Sequence, residues 1–260
     1  MLLRFTIAYV AIIVFALFAF FYQSNVFKLI GFGSIMLSLG MYYGIKFRWS
    51  FTLVDKLIYL ICIIGFLGDI LQFLSGGEIG QLVQIVFTLT TYLLYVSIFR
   101  REGSYFIIKA KAELPKFMLI TLVIFLFFGF VLLERIPESL YFLSIIYAFF
   151  EVIFIILSFY RPTTNKLSYF LVGFGAIFKF VADIFYSYNH FVTEKDFFLA
   201  LNVLFYAMSQ YCLIVGVSEN IMGTLKSTHQ IIIQSIEENK NSFIDEFRKL
   251  KIQLSCSFLI

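Results

Sequence analysis

Apolar runs long enough to cross a bilayer recur eight times along the chain, at about 5–22, 27–45, 57–75, 79–99, 117–133, 139–159, 167–189 and 197–217. The breaks between them are short and polar: 23–25, 75–78, 134–138 with Pro137, and 161–166 with Pro162. Connections this short join antiparallel neighbours. The pattern predicts an all-α polytopic membrane protein with eight transmembrane helices over 1–217. Residues 218–260 change character and form a second unit. There Ile233, Ile236, Phe243, Phe247, Leu250 and Leu254 recur at three- and four-residue steps in a background of Glu, Lys, Asn and Gln. That stripe predicts an amphipathic helical tail, lying on the cytoplasmic membrane surface or pairing a homodimer. Ser227 and Gln230 would form its capping box, unless the helix continues from the eighth span.

Composition strengthens the membrane reading, since 61% of the 260 residues are hydrophobic and 14% charged. The net charge of +4 then carries no signal for nucleic acid; what matters is which side of the bilayer the basic residues occupy. The N-terminus, the second, fourth and sixth breaks and the tail hold 16 of the 20 Lys and Arg. The other side holds Lys28, Arg135 and Lys195, and Lys179 lies within the seventh run. Positive charge marks the cytoplasmic side, so both termini are expected there, in the cell (inner) membrane. The first run is too long for a signal-peptide core, and no small-x-small site precedes Gln23, so it reads as a span. Cys62, Cys212 and Cys256 form no CxxC, and His190 and His229 are too few for a metal cluster. No cofactor or metal is expected.

Two carboxylates interrupt the spans. Asp69 lies within LICIIGFLGDILQFLSG at 60–76, and Asp183 within GFGAIFKFVADIFYSYNHF at 173–191. The stretches align through Phe66 and Phe180, Leu67 and Val181, Gly68 and Ala182, and Ile70 and Ile184. An acid inside a span is costly and is a functional hypothesis by default. Each acid stands six residues before the outer end of its run, a depth of roughly 9 Å at the helical rise. Four spans separate them, as expected for a parallel 4+4 repeat about the membrane normal.

Polar stripes accompany the acids at helical spacing. The third helix shows Gly65, Asp69, Gln72 and Gly76; the seventh shows Ala176, Lys179, Asp183, Ser187 and His190, with Tyr186 beside them. The fourth carries Gln81, Gln84, Thr88, Thr91 and Tyr95; the sixth carries Ser144, Tyr147, Glu151 and Ser158; the eighth carries Asn202, Tyr206, Ser209 and Gln210. The first and fifth have little polar at mid-depth and should face lipid. Ser, Thr and Gln of this kind serve as interhelical glue as readily as ligand groups. Lys179, four residues before Asp183, could simply neutralise it. Glu151 lies nearer the cytoplasmic half, as an ion-pair partner of Lys179 or at the foot of a cavity.

Two carboxyls in a partly dry site can share a proton, with one acting as general acid and the other as general base on an ether-type bond. The same pair could relay protons in a transporter. No GxSxG, HExxH, P-loop or GxGxxG motif offers other chemistry. The segments Phe66-Leu67-Gly68-Asp69-Ile70-Leu71, Gly175-Ala176-Ile177-Phe178 leading to Asp183-Ile184, and Tyr206-Ala207…Gln210…Leu213-Ile214…Gly216 resemble the YhhN-like lysoplasmalogenase family over roughly residues 1–217. The resemblance implies a membrane hydrolase that cleaves the vinyl ether of a lysoplasmalogen, a lysophospholipid substrate, to a fatty aldehyde and a glycerophospho-amine. It also implies Asp69 and Asp183 as catalytic acids. In that scheme Asp69 gives the proton, Asp183 stabilises the oxocarbenium ion and activates water, and Lys179 keeps Asp183 ionised. Gln72, Tyr186, Ser187, Glu151, Tyr206, Gln210 and Asn202 are the supporting or substrate-binding candidates, with His190 and Lys195 near the phosphate. Two other classes compete: a membrane sensor signalling through the tail, and a proton-coupled transporter.

Overall fold

Each apolar run folds as a helix. In the computed structural model, which describes residues 2–21, 25–75, 77–103, 114–162 and 165–224, the order is α1 Leu2–Phe21, α2 Asn25–Lys46, α3 Leu53–Ser75, α4 Gly77–Arg101, α5 Leu114–Phe127, α6 Glu138–Phe159, α7 Lys166–Phe191 and α8 Asp196–Thr224. No strand occurs among the described residues. Six helices, α1, α2, α4, α6, α7 and α8, are long and apolar enough to cross a membrane. The apolar stretch of α5, Met118–Leu132, is shorter and ends in a π-helical turn at Phe128–Leu132. The chain is thus an all-α integral membrane protein with six candidate spanning helices among the described residues, and α3 and α5 fill the other two of the eight expected runs. α8 runs through residue 217 without a break to Thr224, and the tail stripe beyond it lies outside the described residues.

Local sequence explains where the helices stop. Arg48 and Trp49 both take positive φ, 52° and 55°, and Trp49 N–H donates to the Gly44 carbonyl at 2.8 Å. The Trp49 ring then lies where a Cβ on residue 44 would be, 2.5 Å from its Cζ3, so only glycine fits there. α3 restarts on a reciprocal cap: Thr52 N–H donates to Asp55 Oδ2 at 2.9 Å, and Asp55 N–H donates to Thr52 Oγ1 at 3.3 Å. Ser50 Oγ, Thr52 Oγ1 and the Tyr43 hydroxyl of α2 also donate to Asp55, at 2.7, 2.6 and 2.5 Å. Asn165 caps α7 by accepting from Leu167 N–H and Ser168 N–H.

The bundle is organised around α3, which packs between α2 and α4; α4 in turn packs on α6, and α6 on α7. α1 is the least enclosed of the long helices, with 22% of its span buried against 39–56% for α4, α6, α7 and α8. That matches its expected lipid exposure. It is still pinned to α8 by Tyr9, whose hydroxyl donates to the Ala207 carbonyl at 2.9 Å. Large apolar side chains such as Phe18, Leu119, Phe130, Phe142 and Phe174 face outward, while Asp69, Glu151, Lys179, Asp183 and Gln210 are buried. This inversion fits a hydrocarbon solvent. At the basic-rich end, Arg161 pairs with Glu102 at 2.5 Å and Asn220 donates to the same carboxylate at 2.9 Å. Lys46 pairs there with Glu219 at 2.6 Å. These contacts fasten the end of α8 to the bundle.

The helix bounds recur. Moving α1–α4 along the chain by the Asp69-to-Asp183 separation of 114 residues brings each start within five residues of the start of α5, α6, α7 or α8.

Candidate functional site

Two buried clusters occupy the middle of the bundle. In the first, α7 places Lys179 and Asp183 one turn apart, and the two form a buried ion pair. The Tyr92 hydroxyl of α4 donates to Asp183 Oδ2 at 2.5 Å. The same hydroxyl lies 3.5 Å from Glu151 Oε1 and 3.5 Å from the Tyr147 hydroxyl, both on α6. Two carboxyls therefore converge on one phenol whose single proton points to Asp183. With only Lys179 as counter-charge, the group is neutral when the two acids hold one proton between them.

In the second cluster, the Tyr206 hydroxyl of α8 donates to Asp69 Oδ2 of α3 at 3.1 Å. Among the described residues this is the hydrogen bond Asp69 receives. Gly65 and Gly68 flank it. A Cβ at Gly65 would meet Met36 Cε at 2.7 Å, and one at Gly68 would meet the Phe87 Cβ at 2.9 Å. These glycines admit neighbouring side chains rather than backbones. Lys179 stands between the clusters, 5.5 Å from the Tyr92 ring centre and 5.9 Å from that of Tyr206.

The two clusters mirror each other. Tyr92 follows Asp69 by 23 residues, and Tyr206 follows Asp183 by the same interval. Yet each tyrosine serves the other half's acid: α4 serves α7, and α8 serves α3. The symmetry stops at the lysine, because the position matching Lys179 is Gly65.

Cavities separate the acids. Asp183 and Glu151 line a cavity of about 60 Å³ together with the polar Tyr147, Ser144, Ser187 and Tyr186 and the apolar Phe127, Phe128, Leu132 and Ile136. The π-turn thus forms part of the wall, a place where such turns recur. Asp69 lines a different cavity of about 20 Å³ with Lys179, Tyr206, Gln210, Thr88 and Gln84. Gln84 borders both. Asp69 and Asp183 therefore line separate cavities, with Lys179 paired to Asp183 and bordering the Asp69 cavity, and the acid that shares the Asp183 cavity is Glu151.

The other expected residues distribute as follows. Tyr186 and Ser187 line the larger of the two inner cavities. Gln210 borders the Asp69 cavity and accepts from the Tyr95 hydroxyl at 3.0 Å. Asn202 donates to the Ala182 carbonyl at 2.9 Å, which holds the backbone next to Asp183. The Gln72 side chain lies outside the described residues. Lys195 makes a backbone bond to Asn189 Oδ1 at 2.8 Å, whereas His190 stacks on Tyr186 with ring centres 4.1 Å apart. Tyr92 was not anticipated; its 23-residue interval from Asp69, equal to that of Tyr206 from Asp183, is the signal that would have found it. Among the described residues no set of three His, Cys, Asp or Glu converges as metal ligands.

No protein-family model, curated protein or solved structure matches the chain. The likeness to lysoplasmalogenases thus rests on the short segments quoted above.

Proposed function

We propose that the chain is a membrane-embedded hydrolase that cleaves an acid-labile ether bond of a single-chain lipid, with the vinyl ether of a lysoplasmalogen as substrate. The observation that carries the proposal is that Asp183 and Glu151 line one cavity together with apolar residues of α5 and the π-turn. A hydrocarbon chain and a reacting polar bond need that combination. In the proposed topology α3 and α5 also cross the bilayer, giving eight spans in two parallel halves with the basic-rich end cytoplasmic. The recurring helix bounds and the crossed tyrosine–aspartate bonds support two related halves.

The reaction runs through the acid pair. Glu151 carries the shared proton and gives it to the outer vinyl carbon, leaving an oxocarbenium ion that the Asp183 carboxylate stabilises. Asp183 then takes a proton from the water that adds to this ion. The resulting hemiacetal returns its hydroxyl proton to Glu151 as the C–O bond breaks, and Asp183 protonates the departing glycerol oxygen. The products are the aldehyde and the glycerophospho-alcohol, and both acids regain their starting states. Lys179 and Tyr92 hold Asp183 in place. Glu151 replaces Asp69 as proton donor in this scheme because Glu151 lines the cavity of Asp183 and Asp69 lines another. Asp69 acts on the site through Lys179.

One observation favours proton-coupled transport as a second reading: Lys179 sits between two acids that line separate cavities. Incubating the purified protein with a mixed lipid extract and reading aldehydes and lysolipids by mass spectrometry separates the two. The hydrolase releases aldehyde; a transporter leaves the extract unchanged.

A further inference from the structure

Between the turn joining α3 to α4 and the connection from α7 to α8 lies a vestibule of about 500 Å³, far larger than the 60 Å³ cavity at the acid pair. Asn189, His190, Thr193 and Glu194 line it. Gln81, Tyr186 and Phe191 line both spaces and so form the partition between them. In that partition the Gln81 Oε1 atom and the Tyr186 hydroxyl are both buried without a hydrogen-bond partner among the described residues.

Buried polar atoms are almost always satisfied, and an orphan in a polar, roomy place implies an ordered water. The Tyr42 and Tyr59 hydroxyls are also orphaned, but they border neither space. Gln81 and Tyr186 differ in facing each other's cavities from one partition. Water can satisfy each of them, donating to the amide oxygen or pairing with the phenol. The Tyr186 ring is held in place by stacking on His190, whose Nδ1 lies 3.0 Å from the Tyr186 carbonyl.

We propose that Gln81 and Tyr186 form the neck of a water route from the vestibule to the Asp183–Glu151 pair. The neck lies between a space of about 500 Å³ and one of about 60 Å³, and water and small ions are the species proposed to pass it. Naming this water as co-substrate rests on the hydrolase reading; the route itself does not.

The test uses the full chain in lipid nanodiscs, with Cys62, Cys212 and Cys256 replaced by Ala and one new thiol introduced. Ser187→Cys reports the inner cavity and Thr193→Cys the vestibule. Silver ion, a thiol reagent close to water in size, and a bulky methanethiosulfonate are the probes, read as loss of later alkylation in denaturant. The expected result is that the Thr193→Cys thiol reacts with both probes and the Ser187→Cys thiol with silver alone. Adding Gln81→Leu or Tyr186→Phe then removes the silver reaction at position 187 and preserves both reactions at 193, which also reports that the fold survives. An inner thiol that never reacts, or one whose reaction ignores the neck substitutions, overturns the proposal. Because no turnover is read, failure here is separate from failure to hydrolyse lipid.

Discussion

Asp55 and Asp69 stand on the same helix, 14 residues apart, and both are almost wholly enclosed. They are built in opposite ways. Asp55, just ahead of the apolar run of α3, receives bonds from Ser50, Tyr43 and both the backbone and side chain of Thr52. Burial pushes its carboxyl up, but these bonds, led by the Thr52 and Tyr43 side chains, outweigh it and hold the group below its ordinary 3.8. Asp69, well inside the run, receives one phenol and faces a cavity. A carboxylate with its acceptor sites filled is a joint; one that borders a cavity with a lysine nearby is set to tune the charge around it. Asp183 belongs with Asp69 by its cavity, although its pairing to Lys179 makes it more strongly held.

The contrast makes graded predictions. Asp183→Asn should lower aldehyde release roughly 10²–10⁴-fold, the range for a lost acid–base group. It should also destabilise the bundle by about 3–5 kcal/mol, because Lys179 is left buried and unpaired. Adding Lys179→Met should recover the thermal stability and not the turnover. Recovery of both would reassign Asp183 to a structural role. Asp55→Asn should destabilise by about 1–3 kcal/mol in thermal unfolding, since donors fill both carboxylate oxygens and the amide turns one of these acceptors into a donor, with turnover per folded molecule unchanged. Asp69→Asn should change stability by less than about 1 kcal/mol, because an amide still accepts from Tyr206. A loss as large as that of Asp55→Asn would erase the distinction between the two acids. The smallest effect is in pH. With its folded-state value depressed, Asp55 adds stability that is fully present above the unfolded value of 3.8 and fades as pH falls through the folded one. The melting difference between the native chain and Asp55→Asn should shrink on acidification across that window and stay flat above it.

Much of this architecture is legible in residue order. The apolar runs give the helices to within a few residues because in hydrocarbon every backbone group must be bonded within its own helix. The acids stand out because charge is rare in such runs. The neighbours of each acid are harder to read. Nothing in the Tyr92 surroundings distinguishes it from the other tyrosines until its interval from Asp69 is set beside that of Tyr206 from Asp183. Glu151 is visible in the sequence, but its convergence with Asp183 depends on how α6 and α7 pack, which no local pattern encodes. Thr52 and Asp55 have the spacing of a reciprocal cap, but the apolar run begins only at 57, so hydropathy alone places the start of α3 too late. The partition at Gln81 and Tyr186 joins residues 105 apart in sequence and emerges only from the fold.

The most direct measurement follows aldehyde release from a defined vinyl ether lysophospholipid by purified wild-type protein, Glu151→Gln and Asp183→Asn in one detergent. The acid-pair mechanism predicts steady release by the wild type and at least a 100-fold fall in each variant. No release by the wild type, or undiminished release by both variants, contradicts it.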